Sequence, residues 1–334
     1  MAAHARVRAG LALVEVLRLI ALSAVIGQIA PVHGQDYPSR TIKLVVPSGP
    51  GGPADASARL VARIAQSELG QTVLVENRPE GYGVVGSDTV ANADPDGYTL
   101  LLGTSATLGI VPAVTGSPSY DPIKSFTPVA EISDSTLALV VPNDFPAKTV
   151  QDLVAYAQAH PGQLKYASAG IGDQSQLLAE LFKARAGLNI VEVSYKGEAE
   201  MTAAITSGQV QLAFSDLGTL LPLIRAGLVQ ALAVTSAVRL PQLPDVPTMA
   251  EGGISDFVLT LWSGVVAPAG TPASVVDKLN DAINKGLEAG SADKILEPTG
   301  AETHPRSVRD FARLISDQAT KWRSVAQLTN IRVN

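Results

Sequence analysis

The sequence predicts an α/β protein of two domains with parallel sheets, and three observations lead there. Nine short apolar segments, TIKLVV, TVLVEN, YTLLLGT, LALVVP, LKYASA, IVEVSY, VQLAFSD, QALAVTS and LWSGVVAP, alternate with stretches of helical periodicity, which is the pattern of parallel strands covered by helices. Behind an N-terminal leader run about 300 residues, more than one core ordinarily holds. Residues 42–59, IKLVVPSGPGGPADASAR, pass from a β-branched strand through a Gly/Pro-rich turn into a helix.

The leader, residues 1–34, carries Arg6, Arg8 and Arg18 with one acid, Glu15, then the apolar run LIALSAVIGQIA and the small-residue stretch around Val32, His33 and Gly34. This is the layout of a cleavable secretion signal and predicts export. The run is shorter than the roughly 20 apolar residues that a membrane span needs; an uncleaved amphipathic anchor is the alternative.

The turn after the first strand is shaped to hold an anion. A helix N-terminus presents unpaired N–H groups and the positive end of the dipole, so a carboxylate can sit there without an arginine. Gly49, Gly51 and Gly52 permit close main-chain approach, whereas Pro47, Pro50 and Pro53 stiffen the turn and each remove a donor. Gly49, Gly51 and Ala54 also mimic a dinucleotide fingerprint, with Glu76 ending the next strand. The missing donors and the export signal argue against that rival.

Helices are expected over 55–69, 84–92, 173–186, 199–207 and 272–289. Thr149 with Asp152 and Ser307 with Asp310 have capping-box spacing and open two more. The last, from 306 to about 325, places Phe311, Leu314, Ile315 and Trp322 on one buried face. Ligands of such sheets bind beyond the carboxyl ends of strands. The residues there are small and polar: Thr104 and Ser105 after the third strand, Gly170, Gly172, Asp173 and Ser175 after LKYAS, and Lys196 after IVEVSY. The second of these loops again joins glycines to a helix start. Two anion cradles in opposite halves predict a cleft between domains.

The catalytic inventory is thin, and no enzyme is expected. Beyond the leader only His160 and His304 remain, both beside prolines in positions suited to the surface. No nucleophile elbow, zinc-protease motif, Walker loop or EF-hand spacing occurs. Asp55, Asp173 and Asp216 could act as acid and base only if they converged, and Asp55 and Asp173 stand where helix capping is the commoner role. The absence of cysteine excludes disulfides, thiolate metal sites and a cysteine nucleophile. Loss of the leader removes three basic residues and one acidic one, taking the formal charge from −6 to −8, so a nucleic-acid partner is not expected. Neither a cofactor nor a metal is expected.

Three motifs carry a family resemblance across nearly the whole chain beyond the leader. They are VPSGPGGPADASAR, with Pro50, Gly51, Gly52, Asp55, Ala58 and Arg59; YASAGIGDQSQLLAELFKARAG, with Tyr166, Ser168, Gly170, Gly172 and Leu178; and SYKGEAEMTAAITSGQVQLAF, continuing through LPLIRAGLVQALAVTSAVRLPQLPDVPTMAEGG to WSGVVAPAGTP. The chain resembles the substrate-binding proteins of tripartite tricarboxylate transporters, the Bug receptors of Gram-negative bacteria. That resemblance implies a two-domain type II periplasmic binding protein (Venus-flytrap) fold, whose domains close on a small carboxylated metabolite held by amides, hydroxyls and water.

Carried over position by position, Ser48, Gly49, Asp55, Ser168, Gly170, Gly172, Asp173 and Ser175 belong to the carboxylate-holding loops, while Thr104, Ser105, Lys196 and Asp216 line the cleft. Tyr82 stands where the family commonly has glycine, and its ring either packs under its loop or projects into the cleft. Ser48 replaces a common aromatic, Gln176 a common histidine and Ser194 a proline; Leu228 and Gln230 replace two basic residues. The expected domains are 36–136 plus 259–334 and the intervening 137–258. The expected partners are membrane transporter subunits or a sensor, with the receptor itself a monomer. The alternative reading is an α/β enzyme with a dinucleotide-type site.

Overall fold

A computed structural model describes residues 37–116, 119–290, 292, 296 and 301–333. The expected leader, 1–34, lies outside the described residues. Met1–Ser39 form one unit and Arg40–Asn334 the other; the architecture below is that of the second.

β1 (Ile42–Val46) is buried along nearly its whole length and pairs in parallel with β2 (Val73–Asn77) and β3 (Thr99–Thr104). Burial on both faces explains why its sequence is a continuous apolar run instead of an alternating one. α1 (Pro53–Leu69) starts with Pro53, whose missing N–H costs nothing in a first turn, and stops at Gly70 in the left-handed conformation, φ 69°. α2 (Val84–Ala91) leads into β3, which ends in a π-helical turn, 106–110, continued by α3 (Val111–Thr115).

β4 (Phe126–Pro142) is the long element, with 17 residues. Beyond it run α4 (Val150–Ala159), β5 (Lys165–Ser168), α5 (Gln174–Ala186), β6 (Val191–Ser194), α6 (Glu198–Thr206), β7 (Leu212–Asp216), α7 (Leu217–Arg225) and β8 (Val229–Val234). The chain then returns through β9 (Thr260–Pro268) to α8 (Ala273–Glu288), β10 (Ala301–Thr303) and α9 (Val308–Thr329). The strand order is β2-β1-β3-β9-β4-β7-β5-β6, with β8 and β10 also paired to β4. All nine expected strands are present, and Thr149 and Asp152 form the reciprocal cap at α4, with N–H to oxygen distances of 3.1 and 3.0 Å.

The sheet has two halves because β4 changes partners midway. Its residues 126–136 pair antiparallel with β9, whereas 137–142 pair with β7 and β8. The sequence reading found only the second half of this strand, LALVVP. The first half contains Pro128 and polar inward positions, and its pairing with β9 shifts register twice, so its alternation is broken. α7, with Pro222 inside it, and the short polar β10 were likewise not expected.

The two crossings are tied together by one hydroxyl. Thr235, fully buried, donates from Oγ1 to the Leu259 carbonyl at 2.6 Å and accepts from the Leu137 amide at 3.2 Å. Its own amide bonds the Leu137 carbonyl, and the Leu259 amide bonds its carbonyl. α9 adds a second tie. Trp322, Val325 and Ala326 pack in one apolar cluster with Ile110 and Val114 of the first half and Leu178, Leu181 and Phe182 of the second. Phe311 and Ile315, earlier on the same helix, lie in a different cluster with Leu101, Leu108 and Trp262.

Replacing Thr235 with valine keeps the shape and deletes both side-chain bonds, stranding two buried main-chain groups. Urea denaturation should show a loss of about 1–3 kcal/mol, and unchanged stability would show that this hydroxyl does not support the crossover.

Candidate functional site

Where the two halves meet, a cleft of about 370 Å³ opens between the β1–α1 turn, the end of β3, the partner-changing stretch of β4, and the starts of α5, α6 and α7. Ser48, Tyr82, Thr104, Ser105 and Asp216 line it. A neighbouring recess of about 520 Å³ is lined by Gly170, Gly172, Asp173 and Lys196, and shares Pro47, Tyr82, Ala106 and Gln174 with the first. Nine of the thirteen residues singled out in the sequence therefore face one of two adjoining spaces. Gly49, Asp55, Ser168 and Ser175 line neither.

Those outside are engaged in the protein, apart from Gly49, which has open space where a Cβ would stand. Asp55, 4 % exposed, accepts from the Gly51 amide at 3.0 Å, Asn77 Nδ2 at 3.0 Å and Arg59 Nε at 2.8 Å. Asn77 Nδ2 also reaches the Ser48 carbonyl at 3.1 Å. The Arg59 hydrogen bond, helped by the amide and Asn77, holds the Asp55 carboxyl down at about 2 against the cost of its burial. Asp55 is the fixed post around which the turn is wound, and it leaves the Ala54 and Asp55 amides without intrahelical acceptors beside the cleft.

The second loop is wound the same way. Asp173 caps α5 by accepting from the Ser175 amide at 2.8 Å and the Ser175 hydroxyl at 2.6 Å, while Ser175 Oγ accepts from the Ala169 amide at 2.9 Å. Gln176, standing where a histidine is common, takes the Gly172 amide on Oε1 at 2.7 Å and donates to Glu192. Ser168 donates to the same carboxylate at 2.6 Å. Gly172, which lines the recess, is also held as glycine by its backbone and its neighbours. Its φ of +77° strains any side chain there, and a Cβ would also stand 2.6 Å from Val333 Cγ2.

Tyr82 does not pack beneath its loop. It is 75 % exposed at the shared rim of both spaces, with φ 57° between two glycines also at positive φ. Gly83 must be glycine, since a Cβ would fall 2.5 Å from the Pro47 carbonyl oxygen, and this contact sets the Tyr82 loop against the β1–α1 turn. Ser105, 1 % exposed, accepts the Trp262 amide at 2.7 Å and so pins β3 to β9 while lining the cleft.

Several lining residues were not found from the sequence: Ser133, Ser135, Ser263, Trp262, Glu198 and Thr219. Ser133 bonds Ser263 at 3.1 Å across the strands. Ser135 donates to Asp216 Oδ2 at 2.7 Å, and the Gly218 amide caps onto Oδ1 at 2.9 Å. Burial pushes the Asp216 carboxyl up to about 6, with Glu198 adding in the same direction. The local signal for the serines is the spacing of Ser133 and Ser135 alone, since the register shift between Glu131 and Ser133 breaks the alternation just before them. Asp216 is also a helix cap, because α7 begins directly after it.

The rival readings are resolved residue by residue. Glu76, the acid of the dinucleotide mimic, is ion-paired to Lys43 at 2.9 Å and Arg78 at 2.5 Å. His160 caps α4 and stacks on Tyr156 at 4.4 Å. His304 was expected at the surface; it is partly buried, its Nε2 lies 2.8 Å from Asp134 Oδ1, and that bond raises its basicity. Asp55 and Asp216 stand in separate hydrogen-bond networks, and Asp173 in a third.

Two α/β halves joined by crossing strands, with a polar cleft at the junction, define a two-domain binding protein of the periplasmic type. Residues 57–331 match the tripartite tricarboxylate transporter family receptor, and the chain belongs to that family, the Bug receptors. It is 35 % identical over 314 residues to the protein BugT of Bordetella pertussis, covering 93 % of this chain and 95 % of that one. Among solved structures it is similar to R. palustris Rpa4515 with adipate, with TM-score 0.75, 35 % identity, and 89 % and 99 % of the two chains covered. It is also similar to MatC of Rhodopseudomonas palustris with bound malate, with TM-score 0.72, 32 % identity and coverage of 86 % and 99 %.

Asp55→Ala should cost about 1 kcal/mol at neutral pH, since it removes hydrogen bonds from Gly51, Asn77 and Arg59, donors that are themselves exposed or half-buried. The folded carboxyl titrates below its unfolded value of 3.8, so this stabilisation is complete above the unfolded value and disappears as pH falls toward about 2. Parent and variant melting temperatures should therefore converge in acid; a constant gap would remove Asp55 ionisation from the account.

Proposed function

We propose that this protein is a periplasmic receptor that captures a small carboxylated metabolite in the cleft between its halves and delivers it to the membrane subunits of a tripartite tricarboxylate-type transporter or reports it to a sensor. The observation that carries this reading is that α1 and α5 both open on the adjoining spaces, with Ala54 and Gln174 of their first turns in the lining. Among the described residues the cleft itself has no Lys, Arg or His in its lining. An anion there is met by amides and the positive ends of helix dipoles, supplemented by hydroxyls such as Ser48 and Thr104. Lys196, whose Nζ makes no ion pair among the described residues, stands in the second recess as a supplementary charge.

In this reading the domains are 36–136 with 259–334 and 137–258, the hinge is the crossing of β4 and the segment entering β9, and closure buries the ligand. Residues 1–34 act as the export signal. The receptor works as a monomer, catalyses nothing and needs no cofactor. The adipate and malate seen in two relatives support an acid of four to six carbons as the starting point for a search.

A thermal-shift panel of mono-, di-, hydroxy- and amino-carboxylates with nucleotides as controls tests this directly. At one hundred times its dissociation constant a true ligand should stabilise the protein by roughly 2.7 kcal/mol. Stabilisation by nucleotides and by no carboxylate would contradict the reading. On the same panel Tyr82→Gly should reorder the ligands without lowering the melting temperature of the free protein, because glycine suits a left-handed, exposed position. Uniform weakening with a lower melting temperature would make Tyr82 a packing residue.

A further inference from the structure

The half of the cleft contributed by α6 and α7 is acidic. Glu198 is the first residue of α6 and Asp216 caps α7, so two helix N-termini, each able to hold an anion, are already occupied by the chain's own carboxylates. Glu198 Oε1 accepts the Ser215 hydroxyl, and Asp216 accepts Ser135 on one oxygen and Gly218 on the other. Each Asp216 oxygen keeps a free acceptor site, as does Glu198 Oε2. In the half contributed by β1–α1, β3 and β9 the polar groups are of the opposite kind. The Ala54 amide has no intrahelical acceptor, and the indole N–H of Trp262, closed off from solvent in the wall of the cleft, has no hydrogen-bond partner among the described residues.

We propose that Glu198 and Asp216 set the ligand's second pole: the cleft takes a carboxylate whose far end carries hydrogen-bond donors, an ammonium group above all, and rejects a second carboxylate. The inference rests on the carboxylate reading given above and narrows it. A second carboxylate beside two anionic groups is repelled in a partly dry cleft, whereas an ammonium group satisfies the open acceptor sites and is attracted by both charges. Burial leaves Asp216 near 6, so its carboxylate is ionised at pH 7.5. Lys196 does not reverse the sign of this wall, since it lines the other recess.

The test uses matched pairs of equal length, each a diacid and its ω-amino acid: succinate with 4-aminobutanoate, glutarate with 5-aminopentanoate, and adipate with 6-aminohexanoate. Calorimetric titration of the full protein at pH 7.5 should show the amino acid binding at least tenfold tighter within the pair that fits. The double variant Glu198→Gln, Asp216→Asn, in which asparagine still caps α7, should bring that ratio to within threefold of unity at an unchanged melting temperature. If the diacid binds as tightly as its partner, or the preference survives in the variant, the inference is wrong while the carboxylate receptor stands. If the six acids do not bind, the inference also fails; if no other carboxylate binds either, the receptor reading fails with it.

Discussion

The site depends on one strand serving two sheets. β4 leaves β9 at Thr136 and takes β7 and β8 from Leu137 onward, and the Thr235 hydroxyl binds this point to the returning chain at Leu259. The far wall of the cleft is placed by that crossing. Ser133 and Ser135 precede it, Asp216 is the register partner of Leu137, and Trp262 and Ser263 lie on the return strand. A structure in which two short segments carry the joint can open and close by small changes at those segments while each half keeps its own packing. α9 limits this freedom, because Trp322 and Val325 pack on apolar side chains from both halves.

Within each half the binding loops are held by carboxylates turned inward. Asp55 accepts from Gly51 of its own turn and from Asn77, Asp173 accepts from Ser175, and Glu192 of β6 accepts from Ser168 and Gln176. These acids spend their acceptor capacity on the protein; the Ala54 and Asp55 amides of the first loop keep no intrahelical acceptor, whereas the Ala169, Gly172, Asp173 and Ser175 amides of the second are bonded within that half. A preorganised set of dipoles costs no side-chain ordering when a ligand arrives, which is the physical sense of an anion site built without an arginine clamp. Gly172 illustrates the economy of the arrangement, since its glycine answers to Val333 and its amide to Gln176.

Much of this was legible in the sequence, for local reasons. β1 and β3 are continuous apolar runs, and α1 and α5 open beside glycines that permit a sharp turn, so the strands and both loops could be placed without tertiary information. The cleft's far wall could not. Ser135 meets Asp216 across 81 residues of chain, on a strand whose register shifts hide its alternation. Glu198 reads as an ordinary first-turn acid until β7 sets Ser215 beside it. Asp55 and Ser175 were read as ligand contacts because they share motifs with residues at the cleft, although their side chains face into their own loops. Motif membership marks a loop; only packing shows which of its atoms are free.

Amide chemical shifts followed during titration with the best carboxylate of a ligand screen test the central claim most directly. The account predicts that the Ala54, Asp55 and Gln174 amides move downfield and saturate together at stoichiometric ligand, with little change at Lys196. Saturating shifts confined to Lys196 and its neighbours, with the helix-start amides unmoved, would show that a charged side chain holds the anion and would contradict it.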